Sequence, residues 1–393
     1  MNRHLLLLAF CQSMFMTNNI TFIAVNGLAG LALAPVGWMA TLPITSYVIG
    51  GALSAPLVAR LQSQWGRKRS FQLGLVMAAV SAAACAYAMS QKSFGLLMLA
   101  TLLAGFYQAN AALYRFAGTE VVEPSYKEKA ISWVLAGGIV GAFIGPALAN
   151  ASVDMLPVRY AGAYLALIGV AAVAFVALSF IQFPPHKAPA PGASSGRPLA
   201  EIARQPTFIV AVAAGALGYG VMNLLMAATP LAMQTCGLPF SDAALVLQWH
   251  VIGMFAPGFF TGHLIKRLGS LNVMGLGLLL NVMCVLVALS GVELHHFEIA
   301  LFLLGVGWNF LFTASTALSL STYRPEERDK AQGALNFCVF AVMAVSSFAS
   351  GVLVTSQGWA WLNLGSLLPL GITGAGLLWL ALQRRAAPTA TPS

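Results

Sequence analysis

Twelve apolar stretches of about twenty residues, each closed by glycine, proline or a charge cluster, recur along this chain and leave few folds open to it. Helical at about 1.5 Å per residue, such a stretch crosses about 30 Å of hydrocarbon. No water reaches the backbone in that layer, so its N–H and C=O groups must pair inside the protein. The pattern predicts helices over 5–25, 36–58, 71–89, 94–114, 130–151, 161–183, 207–233, 241–263, 271–291, 297–320, 330–355 and 359–382. Of the 393 residues, 59% are hydrophobic and 8% charged, whereas soluble domains carry about 25% charged residues. A soluble globular domain is excluded. The first stretch follows Arg3 and His4 as a signal peptide would, but it is too long, contains Asn18 and Asn19 and lacks a convincing cleavage site. It reads as a retained helix.

The net charge of +9 follows the helices in register, which points to topology and not to a nucleic-acid partner. Arg3, the cluster Arg60/Arg67/Lys68/Arg69, Arg115/Lys127/Lys129, Lys187/Arg197/Arg204, Lys266/Arg267, Arg324/Arg328/Lys330 and Arg384/Arg385 all fall on one side. They are 18 of the 20 Lys and Arg, and only Lys92 and Arg159 fall opposite. The expectation is a multi-pass protein of the inner (cytoplasmic) membrane with both termini cytoplasmic. Cys11, Cys85, Cys236, Cys284 and Cys338 show no zinc-type spacing and no disulfide framework.

The segment from Phe183-Pro184-Pro185-His186 to Arg197-Pro198 is rich in Pro, Ala, Ser and Gly and suits a linker. It divides the chain into a six-helix bundle over 1–183, a cytoplasmic linker over 184–206, and a second six-helix bundle with a short tail over 207–393. The halves also match each other. Pro124-x-x-Lys127-x-Lys129-Ala130 answers Pro325-x-x-Arg328-x-Lys330-Ala331, and Trp65-Gly66-Arg67-Lys68-Arg69 answers Lys266-Arg267-Leu268-Gly269, with Lys129 matched to Lys330 and Gly66 to Gly269 at nearly one spacing. The fold class is an all-α membrane protein with twelve transmembrane helices in two six-helix pseudo-repeats. On these features the chain resembles the major facilitator superfamily, whose loop between helices two and three reads roughly G-x-L-x-D-R-x-G-R-[KR]-[KR]. The basic end Gly66-Arg67-Lys68-Arg69 is intact, while Ser63 stands at the acidic position and Lys266 at its counterpart. Gly141-Ala-Phe-Ile-Gly145-Pro146 resembles the GxxxGP motif of antiporters in that superfamily, and its spacing equally serves close helix packing.

A substrate site in such a carrier belongs near the bilayer midplane, between the halves. Every Asp and Glu falls in a loop or at a helix end by these boundaries, which counts against carriers that use a buried carboxylate. What remains at depth is neutral and soft. Met222 and Met226 on helix seven, and His250 and Met254 on helix eight, are i, i+4 pairs that share a helical face. Counted from the outer ends of the two helices, the four groups fall within roughly 9 Å of depth. Thioether sulfurs with an imidazole favour copper, Cu(I) above all. A methionine pair alone is also what adaptable core packing produces, and a lone intramembrane histidine also serves as a hydrogen-bonded packing residue or proton relay.

MxxxM on helix seven followed by HxxxM on helix eight is similar to the CcoA-type bacterial copper importers, a branch with close relatives proposed to move riboflavin. That resemblance implies Met222, Met226, His250 and Met254 as copper ligands. It also implies copper as transported ion, no prosthetic group, a cytoplasmic copper acceptor, and a role in assembling cbb3-type cytochrome oxidase. Met233 with Cys236, or His295/His296 beside Glu293, are candidates for collecting copper at the outer mouth; Met14 and Met16 could extend the route. Asn18, Asn19, Gln108 and Asn309 are candidate cavity-lining residues. Two other readings stay open: a carrier of a neutral organic solute such as riboflavin, stacked on Trp38, Tyr107, Trp249 or Trp308, and a non-transporting copper-binding assembly factor. An enzyme has no support, since there are no paired buried carboxylates, no nucleophile with a base and no phosphate loop.

Overall fold

Because lipid offers the backbone no partners, the apolar stretches close their hydrogen bonds as helices. The computed structural model describes residues 2–118, 120–123, 127–184, 196–324 and 327–386, and among them every regular element is helical. In order they are α1 (Arg3–Leu33), a 3-10 turn (Gly37–Met39), α2 (Leu42–Ser90), α3 (Phe94–Ala111), α4 (Tyr114–Gly118), α5 (Lys127–Ser152), α6 (Ala161–Ser179), α7 (Leu199–Ala203), α8 (Pro206–Thr235), α9 (Phe240–Phe255), α10 (Gly258–Leu268), α11 (Ser270–Ser290), α12 (Leu294–Leu320), α13 (Arg328–Ser356) and α14 (Gly358–Ala386). Ten segments are long and apolar enough to cross a membrane, with α2 contributing two of them. The pair α9 and α10, bent by 42°, makes an eleventh. The remaining span is α5, whose apolar part is the shorter stretch Ala136–Ser152.

Several helices run past their expected ends, each for a physical reason. The first continues to Leu33 because Gly27 and Gly30, which read as stops, are contact sites: a Cβ on Gly30 would overlap the Ala40 carbonyl of the following turn. The expected loop over 59–70 is helical except at Gly66, whose φ of 77° and ψ of 168° break α2 into its two spans. The fourth span ends in a separate turn, α4. The eighth breaks at Ala256-Pro257, because proline brings no N–H to continue the ladder. The Pro124 and Pro325 matches, the Ser63 side chain and residues 185–195 of the linker lie outside the described residues.

The internal repeat is written in the backbone. Gly269 takes φ 82° and ψ 155°, nearly the geometry of Gly66, and no atom lies within 4 Å of a Cβ built on either. Both therefore serve a left-handed conformation that side chains resist, and not a close contact. Other glycines do the opposite. A Cβ on Gly105 would overlap Gly50 of the neighbouring span, and a Cβ on Gly305 would overlap the His250 carbonyl, while one on Gly253 would sit 2.7 Å from the Phe302 carbonyl. Gly253 is the repeat counterpart of Gly50, and Gly305 falls close to that of Gly105, so each half locks its second and fourth spans by the same device. Gly141 and Gly145 press α5 onto α1 in the same way, and Thr21 Oγ1 donates to the Gly145 carbonyl at 2.9 Å.

Charge pairs hold the connections on the basic face. Arg67 binds Glu120 with Nη2 to Oε1 at 2.6 Å and also donates to Gln62 Oε1, so this basic loop keeps a carboxylate partner within its own half. Arg197, where the linker reaches the second half, makes paired contacts of 2.9 and 2.8 Å to the fully buried Glu327, and the Arg197 and Arg324 amides donate to the same carboxylate. On the opposite face the halves touch. Thr41 Oγ1 donates to the Ser347 carbonyl at 2.8 Å, the Trp38 and Phe348 rings lie 5.9 Å apart, and a Cβ on Gly351 would overlap Thr41 Oγ1.

Two outcomes follow for the purified protein in detergent. Gly305→Ala drives a methyl into the α9 backbone and should destabilise by about 1–3 kcal/mol. Gly275→Ala, at a helical glycine with nothing within 4 Å, should instead be neutral or stabilising by up to about 1 kcal/mol; thermal unfolding reads both signs. Arg197 hydrogen bonds hold the Glu327 carboxyl well below its usual value of 4.5. A carboxyl depressed on folding contributes stability that is present above the unfolded value and lost as pH falls below it. Glu327→Gln should therefore lower the melting temperature at neutral pH, and lose part of the further decline that the parent protein shows below about pH 4.5.

Candidate functional site

On α1 the residues Met16, Asn19, Ile20 and Ile23 form one stripe at i, i+3, i+4, i+7, and on α8 Tyr219, Met222, Asn223 and Met226 form another. The stripes correspond one to one under the internal repeat and border one cavity from the two halves. Its upper compartment is completed by Ile44, Tyr47 and Val48 of α2, Gln108 of α3, Leu247, Val251, Met254 and Phe255 of α9, Trp308 of α12 and Met343 of α13. A lower compartment shares Met16, Asn19, Gln108, Tyr219, Phe255, Trp308 and Met343 and continues past Gln12, Phe312 and Asn336 to Leu113 and Arg115. The cavity thus extends toward the basic face and is shut on the opposite one.

Both halves contribute rings and neutral amides, Phe15 from the first and Asn223 and Asn336 from the second among them, but the stacked platform lies in the second. The second half supplies rings: Trp308 and Phe312 stack with centroids 5.3 Å apart and planes 10° apart, Tyr219 stands edge-on to each at 5.3 Å, and Phe255 lies 6.3 Å from Trp308. The first half supplies neutral polar groups, Asn19, Gln108 and Tyr47, with the Tyr47 hydroxyl donating to Asn19 Oδ1 at 3.0 Å. Among the described lining residues there is no carboxylate, and Arg115 is the one charged group.

The candidate ligands do not all meet. Met222, Met226 and Met254 line the upper compartment, joined by Met16 and Met343. His250 does not line it. It is fully buried between α9 and α12, with Nδ1 2.7 Å from the Leu301 carbonyl and Nε2 without a partner among the described residues. Its counterpart in the first half is Tyr47, which does line the cavity, so the repeat places the residue but not its role. Met233 is fully buried in the core, not at a solvated mouth, whereas Cys236 is exposed at the end of α8. Met14 packs in a separate core of the first half.

Of the four amide candidates, Asn19 and Gln108 line the cavity and Asn18 does not. Asn309 is likewise absent from the lining: its Nδ2 donates to the Met254 carbonyl at 2.7 Å and its Oδ1 accepts from Thr261 Oγ1 at 2.7 Å, which ties both sides of the broken eighth span to α12. Of the four proposed stacking rings only Trp308 belongs to the cavity; Trp38 lies at the outer contact, Tyr107 packs on Phe15 in the first-half core, and Trp249 is exposed on the outside. Tyr219, Tyr47, Phe255, Phe312 and Arg115 were not singled out in the sequence. The signal for Tyr219 was available, since it stands one helical turn before Met222 on the same face.

The sequence pattern of the Major Facilitator Superfamily matches this chain over residues 5–270 and 212–393. The chain belongs to that superfamily. It is 38% identical over 363 residues to the riboflavin transporter RfnT of Brucella anthropi, covering 92% of this chain and 91% of that one. It is 27% identical over 366 residues to the uncharacterized MFS-type transporter YdeG of Bacillus subtilis, covering 88% and 85%. The crystal structure of a point mutant of the nucleoside transporter NupG shares the superfamily fold with a TM-score of 0.73 at 12% identity, over 97% of this chain and 99% of that one. The protein is a transporter of this superfamily.

The position of His250 sets an expectation for its removal. His250→Ala deletes the contact to Leu301 and opens a void between α9 and α12, which should lower stability by about 1–3 kcal/mol. Met254→Leu, a volume-conserving change in the cavity wall, should cost under about 1.5 kcal/mol. Comparison of their melting temperatures checks the assignment, and an equal, small effect of the two would contradict it.

Proposed function

We propose that this transporter is an alternating-access carrier of a neutral, planar aromatic heterocycle of the flavin class, with riboflavin the first substrate to test. One observation carries the reading: a platform of rings and a set of neutral amides line one cavity between the halves, without a carboxylate among its described lining residues. A fused ring system with a lactam edge is met by stacking on one side and hydrogen bonds on the other. The 38% identity to a riboflavin transporter supports the same substrate class. With the basic loops assigned to the cytoplasm, the cavity faces inward, and the ring site is where an imported solute is released.

A second reading rests on one specific feature. Five thioethers, from Met16, Met222, Met226, Met254 and Met343, line the upper compartment, a soft neutral set suited to Cu(I). In that reading the cargo is copper, delivered to a cytoplasmic acceptor. Uptake of radiolabelled riboflavin and of radiolabelled copper by cells with and without the protein separates the two. For a flavin carrier, Trp308→Ala should reduce riboflavin uptake about tenfold, the scale of one lost aromatic stack. The triple variant Met222→Leu/Met226→Leu/Met254→Leu should keep riboflavin uptake within about threefold, because each change preserves volume. Copper uptake that depends on the protein and collapses in the triple variant, without riboflavin uptake, would replace the flavin reading with the copper one.

A further inference from the structure

Away from the cavity, on the face opposite the basic loops, the connection from α11 to α12 gathers three ligating side chains. Glu293 is the N-cap residue of α12, and His295 and His296 stand in its first turn. One ligand atom from each lies within 4.8 Å of the others. Neighbouring residues on a helix ordinarily diverge, yet the two imidazoles lie 4.0 Å apart, centroid to centroid, and His295 Nδ1 is 3.5 Å from Glu293 Oε2. Two features show how His296 is held. A Cβ on Gly291 would fall on the His296 ring, so glycine leaves the space in which the ring lies against the connection. His296 Nδ1 is buried there without a hydrogen-bond partner among the described residues, which is costly for a polar atom unless something ligates it.

We propose that Glu293, His295 and His296 form a binding site for a divalent transition metal ion of the zinc and copper(II) class. Imidazole nitrogens with a carboxylate oxygen are borderline ligands, matched to Zn²⁺, Ni²⁺ and Cu²⁺ and poorly matched to Mg²⁺ or Ca²⁺. A tetrahedral shell with bonds of about 2.0–2.1 Å places ligand atoms about 3.4 Å apart, so side-chain rotations that bring these atoms up to about 1.4 Å closer complete three positions. The exposure of Glu293 and His295 leaves the fourth open to water. The carboxylate also offsets part of the repulsion a cation meets at a helix N-terminus. The site is independent of the transported solute. The cavity thioethers are soft and take Cu(I), whereas Zn²⁺ reports the harder triad alone.

The test uses the full chain in detergent, purified through a tag that contains no histidine, with Zn²⁺ titrated against a chromogenic chelator. The expected result is one Zn²⁺ site in the parent protein that is lost in His295→Ala/His296→Ala and weakened at least about tenfold in Glu293→Gln, the scale already reached by losing a ligand's outer partner. Gly291→Ala retains all three ligands but pushes on the His296 ring, and should weaken Zn²⁺ by a similar factor. Elution as a single species and a melting temperature close to the parent's show that the variants fold. Unchanged Zn²⁺ stoichiometry and affinity in the double histidine variant would overturn the proposal, as would Mg²⁺ competing as well as Ni²⁺. Because the readout is Zn²⁺ binding, its failure leaves the flavin and copper readings of the cavity untouched.

Discussion

Helices in lipid gain little from hiding apolar surface, since the solvent is itself apolar, and they hold together where their backbones approach closely enough to pack. The Gly50–Gly105 and Gly253–Gly305 contacts do this within each half, and Gly141 and Gly145 do it between α1 and α5. These contacts make each half a unit. The interface between units runs along α2 with α13, α5 with α9 and α1 with α8, closes at one face through contacts such as Thr41 with Ser347, and leaves a cavity below them. Two such units around a central site are the arrangement in which one half rocks against the other.

The duplicated plan explains both what is symmetric here and what is not. Gly66 and Gly269 break their helices with one backbone geometry, and the stripes on α1 and α8 border the same cavity at the same offset. Recognition comes from departures from the repeat. Gln108 of α3 and Trp308 of α12 stand close to equivalent places in the two halves, so an amide in one answers an indole in the other. Tyr47 and His250 are likewise paired by position. One hydroxyl reaches Asn19 in the cavity wall, while the imidazole turns to Leu301 in the packed interface.

Much of the fold was legible in the chain. Span length, the one-sided distribution of basic residues and the matched loops around Gly66 and Gly269 led to twelve helices in two halves. Helix ends were read less well, because a glycine that stops a helix and a glycine that lets a neighbour approach look alike in sequence; Gly66 and Gly30 are one of each. Part of the cavity wall was also legible. Asn19 and Gln108 were named as lining residues, Met222, Met226 and Met254 as soft ligands at matching depth, and Trp308 as a stacking ring, and all six border the cavity. Asn309 satisfied the same criteria and went elsewhere, because buried amides serve backbone carbonyls as readily as ligands.

The sequence by itself determined the solvent, the number of spans, the pseudo-repeat and the placing of every Asp and Glu in a loop or at an expected helix end, since each follows from residue type and spacing along one dimension. Which way a side chain at a given depth points was decided only by the tertiary structure. Helical spacing puts His250 and Met254 on one face, but that face is shared between a cavity and a neighbouring helix, and a carbonyl at Leu301 takes the imidazole while the thioether one turn on remains at the cavity wall. The gathering of Tyr219, Phe255, Trp308 and Phe312 from three helices into one platform was likewise invisible along the chain. It depends on the rotation of each helix about its own axis, which is set by close backbone contacts between segments far apart in sequence.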